Sequence, residues 1–198
     1  MTVVMIQRLK REQREEQILL SLKRCDYLSR SQIQHMHKLG SDRNARKVLA
    51  NMSDYVSSFR DKEKVYYLNA GGRERVECNK VRKKSVQVGH YLMRNQLYIH
   101  LGQPNDWKNE VKLGFEGIGF IIADSFYQKD NVFYAVEIDH TQKMLKNRSK
   151  IDKYKAIIKH ANFPIKIIWL TTTDYRKKQL EKLCDGVDAQ VLLIDDIN

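Results

Sequence analysis

The sequence predicts an α+β chain in two parts: a basic, mostly helical N-terminal portion, then an α/β portion with a mixed central sheet. Three observations predict it. Charge is uneven, with 20 Lys+Arg against 10 Asp+Glu in residues 1–84 and 16 against 14 in the remainder. Short runs before residue 55 repeat their apolar residues at the three-to-four spacing of a helix. Later, GFIIAD (119–124) and VFYAVEID (132–139) are continuously apolar, as strands covered on two faces are. The 198-residue length suits two small domains, expected at 1–84 and 85–198.

The elements follow in order. In EQREEQILLSLKR (12–24), Ile18, Leu19 and Leu22 make a narrow apolar stripe on a charged helix, and Cys25-Asp26-Tyr27 breaks it. Ser29 and Gln32 have the spacing of a capping box, which starts a second helix carrying Ile33 and Met36 and closing at Gly40. Ser41 or Asp42 caps a third helix, with Ala45, Val48, Leu49 and Met52 inward and Arg43, Asn44, Arg46 and Lys47 outward. Extended pieces at 56–59 and 65–68 flank a charged turn, Arg60–Lys64, and read as a β-hairpin.

Three short helices and a basic hairpin make a winged helix-turn-helix. Its third helix offers residue types that reach phosphates and base edges in a major groove, and its wing adds backbone contacts. The expected contacts to double-stranded DNA are Ser31, Gln32, Arg43, Asn44, Arg46, Lys47, Arg60, Lys62 and Lys64. The bland alternative is a protein-binding trihelical module. His35 and His37, in or next to the second helix, are expected to serve packing or phosphate contact rather than metal ligation.

Residues 86–102 are periodic for a helix, and a first strand is expected near 109–115. Lys129-Asp130-Asn131 turns GFIIADSFY back into VFYAVEID. A long helix (143–161), the buried strand FPIKIIWLTT, a helix capped by Asp174 and ended by Gly186, and the strand AQVLLIDD complete the chain. Gly114, Gly117 and Gly119 are expected to mark a tight turn.

The net charge of +12 and pI near 9.6 favour an anionic partner, most often nucleic acid. Cys25, Cys78 and Cys184 lie far apart, so no zinc or disulfide framework is suggested and reduced thiols in a cytoplasm are expected. No apolar run is long enough to span a membrane, and MTVVMIQRLKREQREEQ lacks a signal-peptide core. There is no Ser/His/Asp triad, P-loop or GxGxxG.

Asp124 and Glu137 stand at the ends of neighbouring strands, with Asp139 two residues beyond Glu137. This layout resembles the core of the PD-(D/E)XK nuclease superfamily, a restriction-endonuclease-like α/β fold. The whole chain resembles the replication-relaxation family of plasmids and other mobile elements of Gram-positive bacteria. The resemblance rests on YYLNAGG (66–72), GHYLMRN (89–95), AD (123–124), VFYAVEIDHTQ (132–142) and the tyrosine of KIDKYKAI (150–157), in that order.

In the superfamily an Asp ends one strand, while an acid, a spacer and a Lys end the next. Two carboxylates hold Mg²⁺ and the Lys orients the attacking water. The resemblance implies Asp124, Glu137 and Asp139 as catalytic and metal residues, with Lys143 standing in for the lysine that Asp139 displaces. Glu110 and Glu116 are possible extra ligands. The missing lysine, and Ala123 where a proline is common, point to a site that no longer cuts. Asp139 could instead cap the following helix or pair with Arg148 or Lys150.

Three functions remain open. One is a DNA-binding protein of a mobile element (plasmid, phage or integrative element) acting in replication, its control or transcription. It would need no cofactor, and its C-terminal core would dimerise or touch further DNA. The second is a Mg²⁺-dependent endonuclease or nickase targeted by the winged helix. The third is a regulator that binds a protein or peptide through its C-terminal domain.

Overall fold

The computed structural model describes residues 3–197 and divides the chain into two compact units, Met1–Asn95 and Gln96–Asn198. Unit 1 opens with helix α1 (Val3–Cys25), which starts nine residues before the expected Glu12 and buries Glu15, Ile18, Leu19, Leu22 and Cys25. Strand β1 (Leu28–Ser29) and helix α2 (Arg30–Met36) follow. Both halves of the expected capping box form: the Ser29 hydroxyl accepts from Gln32 N at 3.2 Å, and Gln32 Oε1 accepts from Ser29 N at 3.1 Å. Helix α3 (Asp42–Ala50) is capped by Ser41, with Ala45, Val48 and Leu49 inward.

Strands β2 (Val56–Arg60) and β3 (Lys64–Leu68) pair antiparallel, and β1 joins them in the order β1-β3-β2. Helix α4 (Ala70–Arg75) was not expected. Asn69 caps it, accepting from Gly72 N at 3.0 Å. A Cβ on Gly72 would lie 2.0 Å from the Tyr55 carbonyl oxygen, so only glycine lets this turn approach that backbone. The start of helix α5 (Val88–His100) completes the unit, which ends at Asn95.

A buried polar corner closes α1. Asp26 is 3 % exposed with φ 68 and stops the helix. Its carboxylate meets Arg82 at 2.8 Å, Arg94 at 3.2 Å and Lys80 at 3.7 Å. Asn95 Nδ2 donates to the Cys25 and Tyr27 carbonyls at 3.0 and 2.6 Å. Tyr27, Phe59, Tyr67 and Tyr91 pack their rings beside it. The Arg-Asn pair of GHYLMRN therefore satisfies backbone that a broken helix exposes.

Unit 2 carries strands β4 (Lys108–Phe115), β5 (Gly119–Lys129), β6 (Val132–Asp139), β7 (Ile165–Thr171) and β8 (Ala189–Leu193), adjacent in that order. The first three are antiparallel and the last three parallel, which makes the expected mixed sheet. Asp130 and Asn131 both have positive φ (50 and 62), the signature of a two-residue hairpin turn. Gly114 lets the β4–β5 hairpin close, since its Cβ would meet the Gly119 oxygen at 2.1 Å.

Helices α6 (Met144–His160) and α7 (Asp174–Leu183) supply the parallel crossovers. Thr173 caps α7 by accepting from Arg176 N, not the expected Asp174, which is the first helical residue. Ile151, Tyr154 and Ile157 of α6, with Leu180 of α7, pack on Ile121, Ala135, Ile167 and Trp169. A short 3₁₀ turn, Ile194–Ile197, follows β8. Among the described residues no helix is long and apolar enough to cross a membrane.

Candidate functional site

The acids of unit 2 sit where the sheet opens. The β5–β6 ladder runs from Lys129↔Val132 to Ser125↔Val136 and stops. Beyond it, the Asp124 carboxylate accepts from Ile138 N at 2.7 Å, taking the place of a ladder carbonyl. Glu137, fully buried on β6, stands beside it. Lys150 forms an ion pair with Glu137 Oε2, and the Tyr154 hydroxyl donates to Oε1 at 2.7 Å. Both partners come from α6 one turn apart, so one helix face delivers a cation and a phenol to one carboxylate.

Burial first, then the charge of Asp124, raises the Glu137 carboxyl to about 8, while Lys150 and Tyr154 oppose that rise. Burial pulls Lys150 down, but the charges of Glu137 and Asp124 outweigh it and raise it. Burial, with Glu137 beside it, holds Tyr154 well above an ordinary phenol. At neutral pH the cluster is an ammonium and a neutral phenol on one shared, poorly hydrated acid.

Asp139 has a different fate from either expected one. It neither caps α6 nor pairs with Arg148 or Lys150. Arg176 of α7 grips it in a fork, Nε at 2.7 Å and Nη2 at 2.5 Å. Asn147 donates to Oδ1 and Thr171 to Oδ2, each at 2.7 Å. Burial alone would raise Asp139, yet these hydrogen bonds outweigh it and lower its pKa.

Lys143, expected beside the acids, is exposed at the start of α6; the lysine that reaches one of them is Lys150. Glu110 and Glu116 are exposed. Among the described residues no group of three His, Cys, Asp or Glu is placed to hold a metal ion. A magnesium ion needs open carboxylate oxygens. Four donors occupy Asp139, and an ammonium and a phenol occupy Glu137, so the set Asp124, Glu137 and Asp139 does not fit Mg²⁺ in this arrangement.

Sequence reasoning offered Lys150 to Asp139 rather than to Glu137, and missed Tyr154, Asn147, Thr171 and Arg176 as partners of the acids. The i,i+4 spacing of Lys150 and Tyr154 was the available signal. Arg176 lies 37 residues from Asp139 and carries none.

In unit 1, Arg43, Asn44, Arg46 and Lys47 are exposed on α3, as are Arg60, Lys62 and Lys64 on and between β2 and β3. A groove of about 620 Å³ runs between α3 and this hairpin, lined by Arg30, Arg46, Arg60, Lys62 and Lys64, with Glu63 its one acid. Asp42 holds Arg30 at 2.7 Å and Arg46 at 2.6 Å. Asn44 Nδ2 donates to the Leu39 carbonyl at 2.7 Å, tying down the turn before α3. Ser31 is bound by Glu63, through Oγ at 2.5 Å and N at 3.1 Å.

Gln32 corrects the expectation outright. It is 6 % exposed, its Oε1 completes the cap, and its Nε2 donates to the Leu92 carbonyl at 2.8 Å, so it does not face outward. His35 is exposed, whereas burial lowers His37 to about 4 and leaves it neutral at pH 7.

The segments that carried the resemblance each hold part of the structure in place. Asn69 and Gly72 set α4, and Arg94 and Asn95 close the α1 corner. Asp124, Glu137, Lys150 and Tyr154 meet at the parted strands. No curated protein matches the chain. The family model described as replication-relaxation matches residues 19–165, which takes in all of these segments. With well over half of its length matched, the chain belongs to the replication-relaxation family.

Proposed function

We propose that this protein binds double-stranded DNA of a mobile genetic element and acts in its replication, the control of that replication or transcription. The family supports a role in plasmid or mobile-element replication. Duplex binding is assigned to unit 1, read as a winged helix-turn-helix: α3 enters the major groove and the β2–β3 hairpin touches the backbone. The observation that carries this reading is the cationic groove between α3 and the hairpin, with five Arg and Lys side chains against one Glu. Arg43, Arg46 and Lys47 reach from the helix, and Arg60, Lys62 and Lys64 from the wing. Asp42 occupies Arg30 and Arg46 until a phosphate displaces it. Asn44 and Ser31 set the shape of the reading head.

The nuclease-like unit 2 is assigned no cleavage. Its acids are occupied from within, Glu137 by Lys150 and Tyr154 and Asp139 by Arg176.

The test is duplex binding across a salt series. Arg46→Ala with Lys47→Ala should weaken binding on every sequence and reduce the salt slope by about two, near one per lost phosphate contact. An unmoved slope removes α3 from the interface. Supercoiled plasmid with protein and Mg²⁺ or Mn²⁺ should stay intact. Nicking that disappears in Glu137→Ala while affinity survives establishes the endonuclease instead.

A further inference from the structure

Unit 2 carries a surface that the duplex reading does not use. The β4–β5 hairpin and the middle of α6 line an open pocket of about 620 Å³. Its rim holds Lys112, Ser149, Lys150 and Lys153, and Phe120 and Ile122 line it beside them, with no acid among the lining residues. Phe120 is 44 % exposed and Ile122 61 %, which is unusual for large apolar side chains on a chain this ionic. Lys112 Nζ lies 4.0 Å from the centre of the Phe120 ring, so cation and ring already form one recognition element. Lys150 is not a floppy surface cation, because buried Glu137 fixes it in place at the pocket.

We infer that this pocket binds single-stranded nucleic acid, with an unpaired base stacked on Phe120 and flanking phosphates held by Lys112, Lys150 and Lys153. An aromatic ring surrounded by lysines is the arrangement that sequence-tolerant single-strand binding uses. In a duplex the base faces are already stacked on each other, so an exposed ring selects unpaired bases. The volume suits one nucleotide or two rather than a helix. An acidic peptide offers the same charges but no flat face for Phe120, and is therefore the competitor in the test.

The measurement is fluorescence anisotropy of a labelled oligothymidylate on the full chain. Phe120→Ala should weaken it about ten-fold, and Phe120→Trp should retain it. Lys112→Gln with Lys153→Gln should lower the single-strand salt slope by about 1.4. Duplex affinity should not move in any of these variants, whereas Arg46→Ala with Lys47→Ala should move it, so the two readings fail separately. Three results overturn the inference: no single-strand binding at low salt, equal losses in Phe120→Ala and Phe120→Trp, or displacement of the oligonucleotide by poly-glutamate of equal charge.

Discussion

At Asp139 two oxygens meet four donors, and the group is wholly buried. Removing the guanidinium leaves a buried carboxylate short of its countercharge, a loss that costs about 3 kcal/mol. Arg176→Ala should therefore lower the urea midpoint strongly without touching the basic groove of unit 1, and a midpoint within error of the parent would show that Arg176 is dispensable. Glu137 makes the opposite prediction in pH. Its folded value, about 8, lies above the ordinary 4.5, so the folded chain keeps a proton that the unfolded chain releases. The stability this group contributes is full below pH 4.5 and lost as pH rises towards 8. Glu137→Gln, which cannot ionise, should flatten the pH dependence of unfolding across that window. If the slope persists in the variant, another group causes it. The acids themselves were legible as strand-end residues. Their pairing was not, because a carboxylate's environment is decided by which helix lies over the sheet: Lys150 reads as a partner for Asp139 but meets Glu137, and Arg176 reads locally as one more solvated cation.

Elements with strong local signals matched expectation: α2 and α3 at their N-caps, the β5–β6 hairpin through Asp130-Asn131, and β7 through continuous apolarity. Two expectations failed: α2 ends at Met36 rather than at Gly40, and GFIIAD is covered on one face only, with Ile121 and Ala123 buried but Phe120 and Ile122 exposed. Elements set by a tertiary approach did not match. Strand β1 has two residues and α4 six, too few to show a period. Helix α4 exists because Gly71 and Gly72 let it settle on the Asp54 and Tyr55 carbonyls. Gly72→Ala would drive a methyl into backbone rather than into a side chain that can swing away. It should cost about 2 kcal/mol, read as a fall in thermal midpoint. Ser29→Ala removes one arm of the α2 cap and should cost about 1 kcal/mol. Equal effects from the two would mean that the glycine contact relaxes easily.

Over the whole molecule, charge is partitioned as the sequence suggested, with the surplus before residue 85. Formal charge still overstates the cationic face free for a partner, since Asp26 engages Lys80, Arg82 and Arg94 internally. Six cations remain as candidate phosphate contacts: Arg43, Arg46, Lys47, Arg60, Lys62 and Lys64. The logarithm of duplex affinity should thus fall against the logarithm of salt with a slope of about −5. A slope near −1 would place recognition elsewhere.

The Asp26 corner also dictates where the chain tolerates scissors. A fragment stopping at Lys84 keeps every residue proposed to contact DNA but forfeits Arg94 and Asn95, stranding the Cys25 and Tyr27 carbonyls and stripping the aspartate of its most deeply buried counterion. Such a piece should precipitate or melt early, while one carried through His100 should express as a stable reagent.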